Sequence, residues 1–135
     1  MNSGHCASFT GLHGTMDILH PHPEIALVRI TGHDIGEFGE RPFRELDPIF
    51  DSQAPVEIFL DAREVNSASI EVSGQWARWM MSRRSQIYRF NILCGSNFVE
   101  LTAGFVQRFT EFGRQMRIYT DASAFESALA VALGK

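Results

Sequence analysis

His20 and His22 form a His-x-His pair. Such a pair can supply two metal ligands, but a metal site needs further donors converging on one point and groups that orient them. Pro21 and Pro23 interleave with the histidines, which predicts a surface turn instead. His5, His13 and His33 stand apart, so no metal is expected. Asp61, Arg63 and Glu64 close an apolar run, at the strand end where open α/β sheets gather ligands. Asn66, Ser67 and Ser69 follow, with Gly95-Ser96-Asn97 expected on the neighbouring strand end. Gly32, Gly36 and Gly39 match neither GxGxxG nor GxxxxGK[ST], so they do not form a phosphate cradle. Cys6 and Cys94 lack ligand or redox spacing and are expected as reduced thiols. No Ser-His-Asp or Cys-His arrangement is legible from spacing. The expectation is a protein without catalytic activity or cofactor.

A different chemistry is suggested by Trp76, Trp79, Met80 and Met81, with Arg78, Arg83, Arg84 and Arg89 in or just after the same segment. Trp beside Arg is typical of interaction hot spots. At 100° per residue, Trp76, Trp79, Met80 and Met81 fall at about 0°, 300°, 40° and 140° around a helix. Trp79 and Met81 are then about 160° apart, so one of them should lie outside the packed face. Arg78, Arg83 and Trp79 are therefore candidate binding residues, beside Asp61, Arg63, Asn66, Ser67 and Ser69.

The elements that position these groups follow from patterning. The 135 residues are 44% hydrophobic and 21% charged, which suits one soluble α/β-sized domain. Residues 1–13 are rich in Gly, Ser, His and Thr and read as a flexible segment before a single domain at 14–135. Thr15–Leu19 and Glu24–Thr31 read as a hairpin. A helix is expected from about Glu40, a central strand at Val56–Asp61, a polar loop at Asn66–Ser69 and a helix at Ile70–Arg84. Tyr88–Leu93 reads as a strand, and Phe98, Leu101, Phe105, Phe109 and Phe112 repeat at helical spacing. Met116–Tyr119 and a helix capped by Asp121 or Ser123 complete the order ββαβαβαβα. Helix-length crossovers imply a mainly parallel sheet with an antiparallel N-terminal edge strand. Phe59, Leu60, Ile92, Leu101, Phe105, Phe109, Phe125 and Leu129 are the expected core.

Net charge is −4, which argues against a nucleic-acid partner. Residues 1–65 carry eleven acids and four Arg, whereas residues 66–135 carry five acids, seven Arg and one Lys. Such a dipole can orient a partner. No apolar run reaches the ~18 residues of a membrane span, and the first fifteen residues lack the pattern of a secretory signal, so a cytoplasmic location is expected.

IALVRITG at 25–32, IFLDAREV at 58–65 and RIYTDASAFESAL at 117–129, in this element order, resemble the STAS domain. That domain is found in anti-sigma-factor antagonists (SpoIIAA-like proteins) and at the C-terminus of sulfate transporters. The resemblance covers about Met16 to Leu133. It implies a bacterial regulatory or scaffolding module that binds a protein through the edge at Asn66–Ser69 and the helix at 70–84, or that self-associates. Regulatory members carry an Asp-Ser-Ser/Thr-Gly motif with a phosphorylated serine. Here the stretch is Val65-Asn66-Ser67-Ala68-Ser69-Ile70, and no register restores the motif. Ser67 and Ser69 remain the residues at which a phosphate would sit, and the standard switch is not expected. The arrangement is also similar to CRAL-TRIO lipid carriers, which implies the alternative of an apolar or anionic small ligand held between sheet and helix.

Overall fold

The computed structural model describes residues 5–53 and 55–134. A six-stranded sheet runs in chain order: β1 (His5–Thr10), β2 (Gly14–His22), β3 (Ile25–Asp34), β4 (Val56–Ala68), β5 (Ile87–Cys94) and β6 (Met116–Tyr119). β1, β2 and β3 pair antiparallel, and β3 through β6 pair parallel. The helices are α1 (Arg41–Gln53), α2 (Ile70–Ser82), α3 (Asn97–Thr110) and α4 (Ala122–Leu133). The mixed α/β class, the parallel centre and the antiparallel N-terminal strands match expectation.

Several details differ. The first strand lies at 5–10, inside the segment expected to be flexible. Phe9 is buried and its ring packs 5.6 Å from Phe38, which anchors this edge to the core. The order is thus βββαβαβαβα. β2 continues through His20 and Pro21 to His22, where only the outer edge of a hairpin must accept a proline without a donor. The expected loop at Asn66–Ser69 is mostly strand: β4 runs to Ala68 because β3 overhangs far enough to pair His33 with Ser67 and Asp34 with Ala68.

Successive parallel strands step in one direction across the sheet, so right-handed crossovers put α1, α2 and α3 on one face. The main core lies there, with Leu46, Phe50, Ile58, Met80 and Phe90 at 2% exposure or less. Phe43, Phe50, Trp76, Trp79 and Phe90 form an aromatic cluster with centroids 5.0–6.0 Å apart. α4 covers the opposite face through Phe125, whose ring meets Phe59 edge-on at 5.7 Å.

The expected core holds on β4, β5 and α4 and fails on α3. Phe59, Leu60, Ile92 and Phe125 are buried and Leu129 is partly so. Leu101, Phe105 and Phe109 are exposed, as is Phe98. The helix instead turns Val99, Ala103, Val106 and Thr110 to the sheet. Those small and β-branched side chains let the helix lie close to the strands; a stripe of phenylalanines would hold it away.

Candidate functional site

Asp61 and Arg63 lie two residues apart on one face in the middle of β4, because the strand runs on to Ala68 and does not end at Asp61 as expected. Arg63 Nε lies 3.0 Å from Asp61 Oδ1, and Arg63 Nη2 lies 2.8 Å from Glu126 Oε2 on α4. These two hydrogen bonds, Asp61 first, push the guanidinium further up from its already high pKa. The surrounding surface pocket, about 300 Å³, also holds Arg29, Thr31 and Glu64. The Arg63 cation is already matched by two carboxylates, so this cluster is a brace between β4 and α4 more than a receptor for an anion. Gly95 enforces the closeness of the neighbouring strand end: a Cβ there would sit 1.9 Å from the Arg63 carbonyl oxygen.

The serines of the β4–α2 junction have local partners. Ser67 Oγ is 2.9 Å from His33 Nδ1 across the β3–β4 pair. Ser69 Oγ accepts from the Val72 amide at 3.1 Å and caps α2. Asn66 is exposed. α3 is capped in the same way by Ser96, whose Oγ accepts from Val99 N. Among the described residues no group of three or more His, Cys, Asp or Glu is placed to hold a metal. His22 Nδ1 accepts from the Glu24 amide, and His20 Nε2 lies 3.2 Å from the Pro23 carbonyl oxygen.

The three binding candidates on and after α2 separate. Trp79 is buried, its Nε1–H donating to Asp47 Oδ1 at 2.9 Å. Arg83 bridges to α1 through Asp47 and Asp51 at 3.0 and 2.7 Å. Both side chains tie α2 to α1. Arg78 is exposed and has no ion pair among the described residues. Met81, not Trp79, lies outside the packed face, which resolves the angular argument.

Met81 is one end of the main surface feature. An open groove of about 630 Å³ runs between α2 and α3. On α2 it is lined by Ile70, Ser73, Gly74, Ala77, Arg78 and Met81. On α3 it is lined by Phe98, Leu101, Thr102, Phe105, Val106 and Phe109. Ile70 is 91% exposed, Leu101 73%, Phe105 and Phe109 59% each, Phe98 55% and Met81 38%. At about 200 Å² per fully exposed large side chain these six present roughly 700 Å². The largest apolar patch on a typical monomer is about 300–600 Å². Phe105 and Phe109 stack on each other at 6.0 Å, so part of the stripe is preformed. Beneath the groove lies a small cavity of about 70 Å³ that shares Ser73, Thr102 and Val106 with it. The stripe is legible in the sequence, where its bulk points to the core, and it lies instead on the surface. The signal that separates the two readings is the second stripe of small residues at 99, 103, 106 and 110.

No model of a known protein family matches the chain, and no curated protein matches its sequence. Among solved structures, an uncharacterised protein of the DUF3478 family from Shewanella loihica PV-4, described as having a SpoIIAA-like fold, superposes with a TM-score of 0.57. The match covers 90% of this chain and 98% of that one at 13% sequence identity. The chain therefore has the SpoIIAA-like, STAS-type fold expected from its strand and helix order. No helix among the described residues is long and apolar enough to cross a membrane.

Proposed function

We propose that this chain is a non-enzymatic regulatory or scaffolding module that binds a protein through the apolar face of α2 and α3. The observation that carries the reading is the exposure of Ile70, Met81, Phe98, Leu101, Phe105 and Phe109 along one continuous groove. Keeping that much apolar surface in water is unfavourable at about 25 cal/mol per Å², and a partner that covers it recovers the difference. The docking face is thus displaced from the Asn66–Ser69 edge first expected, while the adjoining helix stays part of it. The cavity of about 70 Å³ between the sheet and the helices is well below the ~300 Å³ at which small-ligand sites begin, so a ligand of that size has no room under α2 and α3; the open groove of about 630 Å³ is the place where an apolar ligand would compete with a protein partner.

The module works without a serine switch in this reading. Ser69 Oγ is engaged as a helix cap, and the motif around Ser67 is absent. Phosphosite mapping on protein purified from its own host is expected to find neither serine stoichiometrically modified.

The docking test is capture from the native host with the wild-type chain and with Leu101→Asp. The wild type should retain a specific partner that the variant loses, with tryptophan fluorescence unchanged because Trp76 and Trp79 are buried away from residue 101. Equal capture by both chains would refute this face as the docking surface.

A further inference from the structure

We infer that the protein covering the α2–α3 face is a second copy of this chain, related by a two-fold axis lying across both helices. This rests on the reading of that face as a docking surface and names its occupant.

The first argument is area. Isologous pairing of the exposed side chains would bury at most roughly 1,400 Å² in total, an upper bound that reaches the ~1,200–2,000 Å² of specific, stable interfaces. A two-fold interface must also be self-complementary, each patch meeting its own copy. The α2 rim satisfies this. Glu71 and Arg78 are seven residues apart, so they share one side of the helix about 10.5 Å apart along its axis. Both are exposed, and neither has an ion pair among the described residues. When α2 crosses its copy antiparallel, Glu71 faces the partner's Arg78 and Arg78 faces the partner's Glu71.

The same axis suits the rest of the face. The midpoint between residues 71 and 78 falls beside Gly74, which has no side chain to hold the two helices apart. In the isolated chain the Arg78 guanidinium lies back over that glycine, and a Cβ there would be 3.2 Å from its Nη1. On α3, antiparallel pairing sets Phe98 against the partner's Phe109 and Leu101 against the partner's Phe105, with the midpoint near residue 103. Ser73 and Thr102 both form the floor above the small cavity, so the centres of the two helices lie at one level of the groove. The product is a layer of four helices between two sheets.

Sedimentation velocity from micromolar to submillimolar concentration tests the pairing. The wild type should form a reversible dimer. Leu101→Asp should weaken it by about 100-fold, as expected for a central apolar contact. Glu71→Arg and Arg78→Glu should each weaken it, and the exchanged pair Glu71→Arg/Arg78→Glu should restore it. In a Cys6→Ser background, Gly74→Cys should form a covalent dimer on mild oxidation. A wild type that stays monomeric throughout overturns the second-copy occupant. The docking reading then stands or falls separately on the Leu101→Asp capture experiment. A dimer indifferent to both charge reversals, or not restored by the exchange, overturns the antiparallel arrangement.

Discussion

Trp79 and Arg83 converge on a single carboxylate oxygen. Asp47 Oδ1 accepts from Trp79 Nε1 at 2.9 Å and lies 3.0 Å from Arg83 Nη2. Asp47 is on α1, so one side chain fastens two positions of α2 and fixes its rotation. That rotation turns Ile70, Ala77 and Met81 toward the groove.

Removing Asp47 should therefore cost more than a surface ion pair. Asp47→Ala leaves the buried indole N–H without an acceptor, at about 1–3 kcal/mol. Arg83 keeps Asp51, so its charge is not stranded. Asp47→Asn retains an acceptor oxygen and should cost less. Urea denaturation of the two variants measures both. A loss under about 0.5 kcal/mol for Asp47→Ala, the range of an unconnected surface site, would mean that the contact does not hold α2 in place.

The phenylalanine stripe predicts a contrast within one segment. Phe105→Ala should change the stability of the monomer by less than about 0.5 kcal/mol, because the ring is largely solvated. Phe112→Ala should cost about 3–5 kcal/mol. Phe112 is 4% exposed and carries the Arg84 guanidinium 4.6 Å over its ring. Denaturation at a concentration where the chain is monomeric separates the two. A large loss at Phe105 would return the stripe to the core.

How far the sequence disclosed this arrangement depends on which physical rule each element obeys. Crossover length and strand alternation fix the parallel order from β3 to β6, and these are local properties. Angular spacing alone required that Trp79 or Met81 leave the packed face. The burial of Trp79 then depends on Asp47, thirty-two residues earlier in the chain, which no local pattern reveals. On α3 the helical period is legible but the buried side is not, since two stripes share that period. The bulkier one dominates any hydrophobicity reading, whereas the sheet selects the smaller Val99, Ala103 and Val106. β1 escaped for a related reason. Its composition, HCASFT, offers one large apolar residue, and its order comes from pairing with β2 and from Phe9 against Phe38. Asp61 and Arg63 were legible as neighbours on β4 but not as mid-strand residues, and the carboxylate that completes the Arg63 brace arrives from α4 at residue 126.

Asp34 gives a pH-dependent prediction. It lines the small cavity beneath α2 together with apolar side chains such as Ile30, Leu60 and Val72. Burial raises its pKa above the ordinary 3.8, a hydrogen bond from the Gly36 backbone opposes the shift, and the Glu37 charge adds to it. A carboxyl with a raised folded-state pKa favours folding in its protonated form. Its stabilising contribution is present below the ordinary value and is lost as pH rises through the raised one. At neutral pH the ionised group is a net cost that Asp34→Asn removes, while the amide oxygen can still accept from Gly36. The variant should therefore melt at a higher temperature than the wild type near pH 7. The difference should shrink as pH falls toward the ordinary carboxylate range and vanish below it. Thermal melts of both proteins across that range, monitored by circular dichroism, check the sign. A variant less stable than wild type at neutral pH would show that the Asp34 charge supports the fold.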